Sequence, residues 1–113
     1  MNRFAWLFLL ILSCIPVCAD NSREVERLVY EAEYYQKKAD GYRREAQYYL
    51  KKAEGYQREA AYYTRKGDTD RTKTYTRRYE GAMDNYKTQM RYAANADDKA
   101  ADYLRRASYK VGK

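Results

Sequence analysis

The side chains that could do chemistry in this 113-residue chain are its fifteen tyrosines and its twenty-three lysines and arginines. There is no histidine, which removes the usual general base at neutral pH and the commonest metal ligand. The sixteen acids are strung along the sequence at charge-pair spacing rather than gathered in a cluster. Glu45 and Glu59, for example, are fourteen residues apart, about 21 Å along a helix, too far to act on one bond as acid and base. No P-loop, glycine-rich nucleotide fingerprint or zinc-type spacing is present. The residues therefore predict no catalysis, no metal and no cofactor. What they can do is bind. Basic side chains interleaved with aromatics suit anions; Arg44, Lys51, Arg58, Arg65, Arg105 and Arg106 are the foremost candidate anion-binding residues, with Arg43, Lys52, Lys66, Arg77 and Arg78 beside them.

Most of these side chains belong to one repeat. Residues 31–63 read EAEYYQKKADGYRR, then EAQYYLKKAEGYQR, then EAAYY, two heptads per unit. Ala32, Ala39, Ala46, Ala53 and Ala60 recur every seven residues, and Tyr35, Tyr42, Tyr49, Tyr56 and Tyr63 follow each of them by three. That is a heptad seam with a small residue at a and a tyrosine at d. Its period of 3.5 predicts a left-handed supercoil against a partner helix. Alanine at a lets the partner backbone come close, while each d hydroxyl needs water or a partner if it is covered. Outside the seam, the f column is wholly basic (Lys37, Arg44, Lys51, Arg58, Arg65), and acids stand four residues earlier at Glu33, Asp40 and Glu54. Acid before base at that spacing predicts ion pairs of roughly 0.2–0.5 kcal/mol each, which would mute the positive field. At c, tyrosine alternates with glycine: Tyr34, Gly41, Tyr48, Gly55, Tyr62. A glycine inside a helix costs about 1 kcal/mol against alanine, a cost with no return unless another surface comes close.

The chain opens differently. Arg3 precedes an apolar run from Phe4 to Leu12, and a small-residue exit ends in Val17-Cys18-Ala19. This is the pattern of a secretory signal peptide over residues 1–19, with cleavage expected between Ala19 and Asp20. Cleavage there removes both cysteines, so the exported chain forms no disulfide. A retained lipid anchor on Cys14 or Cys18 is the alternative.

The first helix is expected from about residue 22 to 66, opened by Asn21 with Glu24 as a capping box and closed by Gly67 as a C-terminal cap. The heptad phase then fails, since continuing it would bury Gly67, Asp70 and Arg77. Residues 67–70 read as a turn. A second seam follows in a different phase: Thr72, Thr76, Tyr79, Met83, Tyr86, Met90, Ala93, Asp97, Ala100, Leu104, Ala107, Val111. It predicts a second helix from about residue 70 to 109. Folding the second helix back on the first pairs Ala46 with Met90, Ala32 with Leu104 and Tyr56 with Tyr79, so large residues mostly face small ones. Asp97 then sits near Tyr42, where it would either accept the tyrosine hydroxyl or lie at a wet edge. The expected fold is all-α: two long helices in an antiparallel coiled-coil hairpin over residues 20–113, after the signal peptide. The alternative is one long helix in a parallel oligomer.

A signal peptide, a lipid-site cysteine, an alanine-rich heptad helix and a terminal Lys113 together resemble the bacterial murein lipoproteins. That resemblance implies a tether joined to the cell wall through its C-terminal lysine. This chain departs from the pattern in its tyrosines at d, its greater length and its turn. The functional expectation is a small exported bacterial protein of the periplasm or secreted space, without catalysis, acting in the cell envelope through self-association or a protein partner on its tyrosine-rich faces. A basic binder of an anionic envelope polymer or membrane surface is the alternative. Export argues against nucleic acid.

Overall fold

The computed structural model describes residues 19–112, and the side chains from Asn21 onward. The apolar leader with Cys14 and Cys18, and the terminal Lys113, lie outside the described residues. Two helices and no strand are found among the described residues: α1 spans Ala19–Lys66 and α2 spans Thr69–Val111. Both begin or end a few residues beyond the expected limits. Asn21 and Ser22 are helical and so do not cap, and Glu24 instead meets Arg27. Ala19 and Asp20, the expected cleavage pair, are the first described residues of α1.

The link between the helices is two residues long, shorter than the four expected. The Gly67 amide donates to the Thr64 carbonyl (3.1 Å) and the Asp68 amide to the Tyr63 carbonyl (3.0 Å). This is the paired closure of a Schellman motif, which requires a left-handed residue after the last helical one. Gly67 supplies it with φ 76°. Asp68 then opens α2. Its carboxylate accepts from the Arg71 amide at 3.1 Å, the N-cap contact that satisfies a free donor of the first turn. One residue thus ends one helix and caps the next, which leaves Thr69 and Asp70 inside α2.

The chain divides into two compact units. In the unit Lys37–Ala96 the helices fold back on each other from this link. Thr64 approaches Thr72, Tyr63 stacks on Tyr75 with centroids 5.6 Å apart, and Tyr42 meets Tyr92 at 5.4 Å. Partners climb one helix as they descend the other, so the pairing is antiparallel. Its core is Ala39, Ala93 and Ala96 with Tyr42 packed against them, and Ala46, Ala53 and Ala82 are also buried. The other unit joins residues up to Gln36 with those from Asp97. It too is antiparallel: Tyr35 stacks on Tyr103 at 5.8 Å and Lys110 reaches Glu24 at 3.8 Å. Its core is Val25, Leu28 and Ala107, flanked by Val29, Tyr103 and Val111. The pairing within each unit fits a coiled coil built on alanine.

Along α1 the expected seam is the buried one. Ala32, Ala39, Ala46 and Ala53 are fully covered, Ala60 is half-buried at the link end, and Tyr35, Tyr42, Tyr49, Tyr56 and Tyr63 are half-buried. Along α2 the buried stripe is displaced by one position. The shared column of Tyr79, Tyr86, Ala93, Ala100 and Ala107 turns inward as expected, but its covered flank is Ala82 and Ala96, with Tyr75 half-buried in line. Met83, Asp97 and Leu104, expected in the seam, are only half-buried, and Thr76 is exposed. Met90 is a correction: it stands 37% exposed. The cause is the alanine column of α1. It draws the backbones close, so a methyl group fits between them, while a thioether or a carboxylate moves to the edge.

No buried side-chain nitrogen or oxygen lacks a hydrogen-bond partner among the described residues, and no polar side chain is fully covered. The d tyrosines are half-buried rather than fully covered. The seam therefore carries tyrosine without the desolvation cost of an unmatched hydroxyl.

Candidate functional site

The c and d tyrosines of α1 form three identical corners. Tyr34 meets Tyr35 edge to face at 5.2 Å, Tyr48 meets Tyr49 at 5.3 Å, and Tyr62 meets Tyr63 at 5.1 Å. The interplanar angles lie between 69° and 79°, the geometry that the ring quadrupole favours. The d ring is anchored in the seam, so it holds the outer c ring in place. The c rings remain 47%, 52% and 44% exposed at Tyr34, Tyr48 and Tyr62. Each is an aromatic surface that has already lost much of its freedom.

Lysines four residues on stand over these rings. Lys52 lies 5.1 Å from the Tyr48 centroid and Lys66 lies 5.5 Å from that of Tyr62, within cation–π range. Hydrogen bonding with the Tyr48 side chain, and then charge interaction with Tyr48 and Tyr56, holds the Lys52 ammonium above the ordinary lysine range. Its charge is therefore kept at any physiological pH. Both lysines were among the basic residues that the sequence offers for anion binding, though not among the six foremost candidates. The signal for them was present: the g column is lysine wherever the c column four residues before it is tyrosine.

The six candidate anion-binding residues separate into two environments. Arg44, Lys51, Arg58 and Arg65 are exposed on α1, and among the described residues no carboxylate lies within ion-pair distance of any of them. The expected pairs with Asp40 and Glu54 do not form. Asp40 instead takes Arg43, one position nearer, at 2.9 Å. Arg105 and Arg106 are different: both bind Asp102, at 3.1 Å and 2.8 Å. Arg27 and Lys110 likewise share Glu24, at 3.4 Å and 3.8 Å. These residues line an open groove of about 410 Å³ with Leu28 and Tyr109. Four cations there are bridged by two carboxylates, so their donors are largely engaged with each other.

Two ring clusters complete the inventory. Tyr75 lies between Tyr63 and Tyr56, at 5.6 Å and 6.3 Å, with Arg71 over Tyr63 and Arg78 over Tyr75. Tyr35 and Tyr103 carry Lys99 and Arg106 on their faces. Both ring clusters are aromatic and cationic. No group of three or more metal-ligating side chains occurs among the described residues, and no described helix is long and apolar enough to cross a membrane. No family model, no curated protein and no solved structure matches the chain.

Proposed function

We propose that this chain is a small exported protein of the cell envelope, a non-catalytic antiparallel helical hairpin that works by holding a second copy of itself or a protein partner. The observation that supports the reading is the exposed c-column tyrosine, Tyr34 in one unit and Tyr48 and Tyr62 in the other. The three rings are exposed, recur every fourteen residues and are braced by the seam tyrosine beside each. Rigid aromatic side chains with a polar tip are the preferred anchors of protein interfaces, because little rotamer freedom is lost when they are covered.

Association through these rings is expected to survive 0.5 M salt, since it does not depend on unscreened charge. The triple variant Tyr34→Ser, Tyr48→Ser, Tyr62→Ser should weaken it about 100-fold, on the order of 1 kcal/mol per anchor. Sedimentation velocity over a concentration series measures this directly. A wild-type chain that stays monomeric, with no partner recovered by cross-linking in its native cells, would rule the reading out.

Export is the other half of the proposal, and its motive is the leader pattern of residues 1–19. The intact mass of the protein from its native cells is expected to match Asp20 to Lys113. An acylated species starting at Cys14 or Cys18, or a cell-wall adduct on Lys113, would replace the free protein with a tether of the murein-lipoprotein kind.

A further inference from the structure

The formal charge of the chain is unevenly placed. Residues 37–96 hold 15 of the 23 basic and 8 of the 16 acidic side chains, so the whole net charge of +7 falls in the turn-bearing unit. The remaining residues balance, eight against eight. Within that unit, Arg44, Lys51, Arg58 and Arg65 form a single-sign row on α1, spaced about 10.5 Å apart along the axis. Acids border the row at Asp40, Glu45, Glu54 and Glu59, yet none of them closes an ion pair with it. Lys52 and Lys66, seated on their tyrosine rings, add two more fixed cations beside it. The other unit provides the contrast. Its cations Arg27, Arg105, Arg106 and Lys110 are each bound to a carboxylate.

We propose that this face of α1 docks a linear, phosphate-bearing polyanion, held by Arg44, Lys51, Arg58, Arg65, Lys52 and Lys66 through charge alone. The row favours a linear partner, because cations from Arg44 to Arg65 extend over about 30 Å, and one chain can engage several of them at once. Base recognition is disfavoured by the rings. Tyr48 and Tyr62 stand about 21 Å apart along the helix, too far to stack successive bases. A bilayer is disfavoured because the alanine stripe of α1 is covered, and the rings left exposed beside the row, Tyr48 and Tyr62, carry polar tips and form no continuous apolar face. The inference does not depend on export or on the tyrosine-mediated association proposed above.

The test uses the full chain and inorganic polyphosphate, followed by fluorescence anisotropy at 50 and 200 mM salt. Six phosphate contacts predict a loss of affinity of roughly 300-fold across that range, taking the single-strand coefficient for counterion release. The variant Arg44→Gln, Arg58→Gln should reduce the loss to roughly 50-fold, as for four contacts. The variant Arg105→Gln, Arg106→Gln removes the same formal charge from the ion-paired groove and should behave as wild type. Both pairs are exposed and leave the seam intact, so helicity by circular dichroism should not change. Equal weakening by the two variants would mean that only net charge matters and would overturn the assignment. So would the absence of binding at 50 mM salt, or binding to phosphatidylglycerol vesicles without binding to polyphosphate. A preference of more than tenfold for single-stranded DNA with the same number of phosphates would also overturn it, in favour of nucleic acid.

Discussion

Replacing Ala39 with leucine will destabilise the protein by roughly 2–3 kcal/mol, the upper part of the range for overpacking a filled core. Ala39 is fully buried, and its methyl group lies against Ala93 and Ala96 with Tyr42 at the flank. Three alanines meeting at one point mean that the two backbones are as close as a side chain allows, so three extra carbons have no space to occupy. The helices must separate, and separation exposes the alanine contacts and ring pairs on either side. Few other contacts compensate, because a two-helix unit buries a single stripe per helix and small domains are marginal. Urea unfolding followed by circular dichroism measures the effect as a fall in midpoint at unchanged slope. Ala61→Leu is the matched control: the same change on an exposed position of the same helix should shift stability by less than about 0.5 kcal/mol. If Ala39→Leu is equally silent, the alanine seam is not the close contact that holds α1 to α2.

The opposite outcome is expected at the helix-interior glycines. Changing Gly41, Gly55 and Gly81 together to alanine should stabilise the fold by about 3 kcal/mol, about 1 kcal/mol for each. A methyl group at Gly41 would meet only the Arg44 guanidinium at 3.9 Å, one at Gly55 only that of Arg58 at 4.0 Å, and one at Gly81 nothing within 4 Å. These are ordinary contacts or open space, so the whole effect is the lower backbone entropy of the unfolded alanine chain. The added methyl groups share no partner, so the gains should add. A rise of roughly 4–8 °C in melting temperature per kcal/mol makes the result easy to read. A triple variant no more stable than wild type would show that a second surface does close on this face, which the sequence alternation of tyrosine and glycine at c suggested and the chain itself does not provide.

How the site could be read from the sequence differs between the two helices. In α1 the repeat is nearly literal, and one heptad assignment separates the covered columns from the exposed ones. The alanines, the half-buried d tyrosines and the exposed c tyrosines follow from spacing alone, because an amphipathic helix has one way to hide an alanine column. In α2 the repeat is weaker. Two flanks of the column Tyr79, Tyr86 and Ala93 are both plausibly apolar, and hydrophobicity alone favours Met83 and Met90 over Ala82 and Ala96. Size, not hydrophobicity, decided between them once α1 lay alongside. The charge columns show the same limit. Spacing allowed Asp40 to reach Arg43 or Arg44, and geometry chose Arg43.

The sequence by itself determined the two helices, the place where the chain turns, the face of α1 that is covered and the presence of a basic column beside exposed tyrosines. Each is a local property, set by a period, a glycine able to take a positive φ or an aspartate able to cap. Only the tertiary structure decided which flank of α2 packs, which tyrosine rings stack across the helices, and which cations remain unpaired. Those outcomes depend on distances between residues far apart in sequence. The alanine columns bring the backbones close enough that a difference of a methylene, or of one residue in reach, selects one neighbour over another.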